Sequence, residues 1–523
     1  MGRFADLLLS KQTGFAGDGG AGLSRAIADA AGLLPYEKSL IAGPGGLIML
    51  ARTGVDKSLL AVGARDKPSL WSRDFSGRIL NAEVDGDAVS IRICPLTHDN
   101  AIALRRNFDL LAPRCFGVKA AAGLGDRLGL ATPGHVRAVW GMGVAPFLAQ
   151  QSIREMTRTH RSSRQVMDDA CWGVLQEGWG AGFGSDADHL KNTTDIDDCV
   201  AAGFTMFTID PGDHVDNSAD TLTGAELAAM CDELNWDALE TTGGDLKREY
   251  LSGDIKVGSL KLDVDEDVLA RAAVKYGAAV AHTAAMFRHL AGAMGKRPFE
   301  LEMSVDETET PTSTFEHYFV ARELQRLGVK WVSLAPRFVG EFEKGIDYKG
   351  DHGRFSQCFR EHVEVMREFG PYKISIHSGS DKFSIYPAMA ELADGLVHLK
   401  TAGTSYLEAL RVTAEIAPDL FREILAFAFE RYETDKASYH VSGDPSKVAR
   451  PDKLKDGDLP GVLDGDDGRQ LLHVTFGSVV TAREGGGYVF RERLLMALRA
   501  HEDDYYAALE KHLRRHIEPF AQA

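Results

Sequence analysis

Residues 299–334 read FELEMSVDETETPTSTFEHYFVARELQRLGVKWVSL. The opening run Phe299–Val305 alternates, with Leu301, Met303 and Val305 on one face and Glu302, Ser304 and, just beyond, Asp306 on the other. That period of two predicts a strand. Thr314–Leu327 has helical spacing, and Val329–Leu334 is a second short apolar run. Strand, amphipathic helix and strand in sequence form a βα unit of a parallel sheet. Outward from this unit the alternation runs from Gly123 onward. The other expected strands are Leu124–Leu130, Gly180–Ser185, Phe204–Ile209, Tyr372–Ile376, Gly395–Leu399 and Tyr439–Ser442. Helical patterns, among them Leu222–Leu234, Val268–Ala293, Arg354–Phe369, Ser384–Leu392, Tyr406–Ala417 and Leu420–Tyr432, separate most of them. Eight such units predict an α/β fold, a (β/α)8 TIM-type barrel with loop insertions.

The first 118 residues differ, with short β-type runs at Gly46–Ala51, Leu59–Val62 and Val89–Ile93 and one helical pattern, Asp99–Leu111. They are expected to form an N-terminal α+β appendage (1–118) to a barrel domain (119–523). Residues 236–261, rich in Gly and charge, are expected to be an insertion. The proline-containing stretch 444–467 follows the eighth expected strand and is a candidate lid.

The formal charge of −17 repels polyanions, which argues against nucleic acid as a partner. The six cysteines include no C-x-x-C pair, and no run approaches the length of a membrane span. A soluble, cytoplasmic protein with no membrane partner is expected. Glycine-rich stretches such as Gly180–Gly184 do not match a dinucleotide fingerprint or a P-loop.

Barrel enzymes carry their chemistry at the carboxyl ends of the strands. Here those ends hold His135, His189, His214, His377, His398 and His440. His377 and His398 come from consecutive expected strands and are candidate ligands for a divalent metal (Zn, Ni, Co, Mn or Fe), with His189 as a third and Asp186 or Asp188 as alternatives. Glu302 points into the barrel, where a carboxylate needs a metal, a cation or a proton; it is either half of a buried ion pair or a ligand or acid/base group. Lys191, Lys382 and Lys400 follow strand ends and Arg337 follows the fifth, which favours an anionic small molecule. Ser378 and Asp306 join them as candidate substrate contacts.

The segments GDRLGLATPGH, DADHLK, FTIDPGDHVDN, SVDETETPT, LAPRFVGEFEKGIDYKGD, YKISIHSGSDKFSIYP and HLKTAGTSYLEALR resemble those of the tagaturonate epimerase family, from about Gly123 to His440. The resemblance implies an isomerase, a divalent-metal-dependent epimerase that inverts C4 of a 2-keto hexuronate and so interconverts tagaturonate and fructuronate in hexuronate catabolism. The C4 hydrogen is not α to the ketone, but the C4 hydroxyl is β to it. Retro-aldol cleavage of C3–C4, rotation of the aldehyde and re-addition would therefore serve, with a metal polarising the ketone. Asp188 and Glu302, two strands apart, are the expected acid/base pair on opposite faces of C4. The alternatives are a metal-dependent aldolase or aldose–ketose isomerase on an anionic sugar and, in another class, a non-catalytic carbohydrate-binding barrel.

Overall fold

The computed structural model describes residues 13–43, 45–66 and 73–521. Eight parallel strands close into a barrel: β1 (Ala121–Gly125), β2 (Ala145–Ser152), β3 (Gly184–Leu190), β4 (Met206–Ile209), β5 (Glu300–Ser304), β6 (Ser333–Ala335), β7 (Lys373–Ile376) and β8 (Val397–Thr401). Glu302 pairs in register with Thr208 of β4 and Ser333 of β6, and His398 with Ser375 of β7 and Ala121 of β1.

The barrel expected from the alternation is present, but one of its eight strands differs. β2, APFLAQQS, is buried along its whole length although its second half is polar, because that half runs into a polar interior. Its residues therefore do not form an apolar run. Tyr439–Ser442 is no strand. It follows a 3-10 turn, Lys436–Ser438, and the Ser442 N–H and hydroxyl donate to Glu343 at 2.7 Å. Pairing of β8 with β1 has already closed the ladder, so no edge is left for it. Boundaries also shift: the run expected at Val329–Leu334 is a strand only over Ser333–Ala335. The run expected to continue to Leu130 stops at Gly125, since the Asp126 carboxylate accepts from the N–H groups of Leu128, Gly129 and Ala131 and turns the chain. The strand expected at 180–185 begins at Gly184 and carries Asp186 and Asp188 within it.

Leu301 and Met303 face the surrounding helices as the alternation requires, together with Ile374, Ile376 and Leu399. Inside, Asp186, Thr208, Glu302, Lys373, His398 and Lys400 are buried above a lower layer of Ala121, Ala145, Phe147 and Met206. A barrel filled with charge is costly unless the groups satisfy one another.

Near the N-terminus an antiparallel sheet is built around Gly46–Thr53, Asp56–Ala64 and Asp87–Pro95, with the helix Ala21–Ala31 against it. The helix His98–Asn107, capped by Thr97, joins it to the barrel layer: Asp168 accepts from Arg105 at 2.8 Å and lies 2.7 Å from the His98 ring. Residues 236–261 include the helix Gly243–Leu251 and most of a short hairpin, Ile255–Val257 with Leu260–Leu262. Residues 444–467 form 3-10 turns whose Leu459 and Leu463 are buried, with Arg411 of the helix Thr404–Ile416 donating to the Pro460 and Leu463 carbonyls. The C-terminal helix Glu502–Ile517 lies beside Thr132–Val139, where Gly134 allows the approach: a Cβ there would sit 2.7 Å from Leu509. Among the described residues no helix is long and apolar enough to cross a membrane.

Candidate active site

The carboxyl ends of β3, β5, β7 and β8 bring polar side chains into one cluster. Lys400 extends from β8 with its Nζ 2.8 Å from Asp186, 2.9 Å from Asp188, 2.8 Å from Glu302 and 2.7 Å from the Thr208 hydroxyl. Burial disfavours the lysine charge, but the three carboxylates more than offset this and hold its pKa well above the ordinary value. Glu302 is likewise penalised by burial, yet Lys400 and the His377 contact keep it well below the usual carboxylate range.

Two imidazoles stand above this layer. His377 places Nε2 2.6 Å from Glu302, and His189 places Nδ1 3.0 Å from Asp210. Each ring is thus oriented by a carboxylate through one nitrogen, and the remaining nitrogens, His377 Nδ1 and His189 Nε2, face each other at 3.1 Å. Asp188 lies 3.9 Å from His189 Nε2, and Asp306 lies 3.3 Å from His377 Nδ1. One ligand atom each from Asp188, His189 and His377 lies within 4.8 Å of the others. Two imidazoles pinned from behind by carboxylates, their other nitrogens converging with a third donor, fit a divalent cation. Burial opposes charging His377, but Asp306 and Glu302 raise it to about 10.

A cavity opens over the cluster, lined by Gln150, Glu155, Asp188, His189, His377, Ser378, Tyr439 and His473 and by the cations Arg127, Arg154, Arg158, Lys344 and Lys400. A second adjoins it through Arg154, Lys344, His377, Ser378 and Tyr439 and adds Asp306, Glu307, Arg337 and His440. Together they form a cleft over the barrel mouth, partly roofed by Ser438–His440; no residue of 444–467 lines it.

Asp188, His189, Asp306, Arg337, His377, Ser378 and Lys400 therefore reach the cleft, and Ser378 is held by Lys344 at 2.6 Å. Glu302, His398, Lys382 and Lys191 do not line it. Glu302 is fully buried beneath His377. His398 lies below it, against Phe147 with ring centroids 4.9 Å apart and 3.5 Å from Glu302, apart from the converging nitrogens. His398 precedes Lys400 by two positions on the same inward face, which sets it one layer deeper. Lys382 is fully buried and donates to the carbonyls of Glu343, Ile346 and Ser380, so it ties backbone rather than substrate. Lys191 pairs with exposed Asp213 at 2.8 Å. Sequence reasoning missed Arg127, Arg154, Arg158, Lys344 and His473; of these, Arg127 and Lys344 lay in stretches already singled out, GDRLGLATPGH and LAPRFVGEFEKGIDYKGD.

A family model described as tagaturonate epimerase matches residues 36–520. The tagaturonate/fructuronate epimerase of Thermotoga maritima is 46% identical over 433 residues, covering 83% of this chain and 87% of that protein. Native and glycerol-complexed crystal structures of the fructuronate-tagaturonate epimerase from Cohnella laeviribosi match with a TM-score of 0.87 at 36% identity, over 94% of this chain and 97% of theirs. With the motifs, the barrel and the cleft all in agreement with this match, the chain belongs to the tagaturonate epimerase family.

Proposed function

We propose that this protein interconverts tagaturonate and fructuronate by inverting C4, with a divalent cation held by Asp188, His189 and His377. The observation that carries the reading is the His189–His377 pair, each ring fixed by a carboxylate, at the floor of a cleft lined by four arginines and two lysines in a chain of net charge −17. The relatives' names supply the sugars. When bound, the cation would polarise the ketone of the substrate.

The remaining work falls to the chain. A base must take the C4 hydroxyl proton so that the C3–C4 bond breaks, and a proton must return after the aldehyde has turned and been re-attacked on its other face. Asp188 and Asp306 are the carboxylates that flank the imidazole pair and reach the cleft. They replace the Asp188–Glu302 pair expected from strand spacing, because Glu302 lies below the floor. Lys400 keeps Asp188 ionised, and the cavity walls shield the cleaved halves from solvent while the aldehyde rotates.

The test is incubation of metal-loaded protein with fructuronate, followed by NMR. Tagaturonate should appear, and chelation should stop it. No tagaturonate with any divalent metal would overturn the reading, and accumulation of three-carbon products would replace it with an aldolase.

A further inference from the structure

The cleft contains a buried cation that the proposed chemistry does not use. Arg127 sits in the turn after β1, which the Asp126 carboxylate holds rigid through hydrogen bonds of 2.7 to 3.0 Å from the amides of Leu128, Gly129 and Ala131. Its side chain is only 2% exposed, and its guanidinium carbon lies 3.6 Å from the ring centroid of Phe476. Both Nε and Nη2 lie 2.7 Å from Glu155 Oε1, and Nη2 is 3.3 Å from His473 Nε2. Nη1 has no partner.

A guanidinium offers five N–H groups in a fixed fork. Glu155 takes the side edge and His473 the remaining Nη2 hydrogen, which leaves Nη1 as the unsatisfied part of a buried charge. Such a group costs free energy unless a ligand meets it. His473 is wedged in place: a Cβ on Gly403 would meet its ring, and Gly345 packs against its Nδ1. Every other contact of Arg127 is therefore fixed in advance. The other cations of this cavity are already engaged, Arg154 with Glu307, Arg158 with Tyr439 and Ser438, Lys344 with Ser378, and Lys400 with its carboxylates.

We infer that Arg127 is the anchor for the substrate's carboxylate, with Glu155, His473 and Phe476 as its positioning residues. This rests on the hexuronate reading and deepens it. The anchor rises from the β1 end and the cation donors from the β3 and β7 ends, so one cavity binds the ligand at two points. The carboxylate at Arg127 then sets which carbons lie over Asp188, His189 and His377. An uncharged ketohexose lacks this second point, so Arg127 makes the site selective for the acid.

The test uses the full-length, metal-loaded protein and compares wild type, Arg127→Lys and the double variant Arg127→Gln/Glu155→Gln, which leaves no lone charge buried. Calorimetric affinity for fructuronate, kcat/KM, bound metal and melting temperature are measured for each. The double variant should bind fructuronate at least about 30-fold more weakly and lose about 100-fold or more in kcat/KM, with metal content unchanged and cooperative unfolding retained. Arg127→Lys should fall between. Affinity within threefold of wild type in the double variant would overturn the anchor, as would a loss that tracks loss of metal or of folding. If wild type binds fructuronate without turning it over, the epimerase reading fails while the calorimetry still decides the anchor.

Discussion

Glu302 accepts from His377 at 2.6 Å, lies 2.8 Å from Lys400 and 3.5 Å from His398 and lines neither cavity of the cleft, so its charge acts through those neighbours. Glu302→Gln should lower metal affinity or turnover by roughly 10- to 100-fold, the range for a carboxylate that orients a metal-binding imidazole. Asp306→Asn should cut turnover by about 10²-fold while bound metal, read by elemental analysis after dialysis, is retained. Asp188→Asn should lose both. Metal retained in Asp188→Asn would move that residue from the cation to proton transfer alone. His189→Ala and His377→Ala should each deplete the metal, whereas His398→Gln should keep it, since the His398 ring stands a layer below the converging nitrogens. Depletion in His398→Gln would restore it to the coordination set.

Two loops of the cleft are set by links made behind them. Lys382, just after β7, donates from one Nζ to the carbonyls of Glu343, Ile346 and Ser380 and so joins the loop after β6 to its own. Burial, the largest influence, pushes its pKa down to about 7. Arg469, on the helix Asp466–Val474, donates to the Gly345 carbonyl at 2.6 Å and lies 2.9 Å from Asp381, which also lies 2.7 Å from His512 of the C-terminal helix. Lys344 and Ser378 sit on the loops so joined. Lys382→Met would leave buried carbonyls without a donor, at a cost of about 3 kcal/mol or more. The expected outcome is a lower urea midpoint together with reduced turnover. An unchanged midpoint would show that the carbonyls find other partners.

Across the whole molecule, several histidines are buried neutral. His135 and His362 are pushed down to about 4, burial being the largest cause, and His317 lies well below its ordinary value through burial and the neighbouring His362. In the unfolded chain they titrate near pH 6.5. Between about pH 6.5 and 4 the unfolded state therefore binds protons that the native state refuses. Stability falls as pH falls through that window, by up to about 1.4 kcal/mol per pH unit for each such histidine. Urea midpoints at pH 7.5 and 5 should differ in that direction. Protonation of these rings above pH 5 in the folded protein, followed by NMR, would overturn the assignment.

By itself the sequence determined the barrel, the family and the set of residue types at the strand ends. Those follow from local physics: Leu301, Met303 and Val305 alternate with Glu302, Ser304 and Asp306 whatever lies around them, and helical periodicity marks the elements between strands. Periodicity failed where burial and polarity part company. β2 is buried and half polar, so its pattern is not that of an apolar run, while Tyr439–Ser442 alternates without a free edge to pair with. Depth along a strand and closure between strands belong to the tertiary structure alone. Two residues of rise separate His398 from Lys400, and that step decides that one lies beneath the site and the other at its floor. The partnership of Arg127 with Glu155, His473 and Phe476 is equally invisible in one dimension, because it joins the turn after β1 to side chains as far as 349 positions away through nothing but packing.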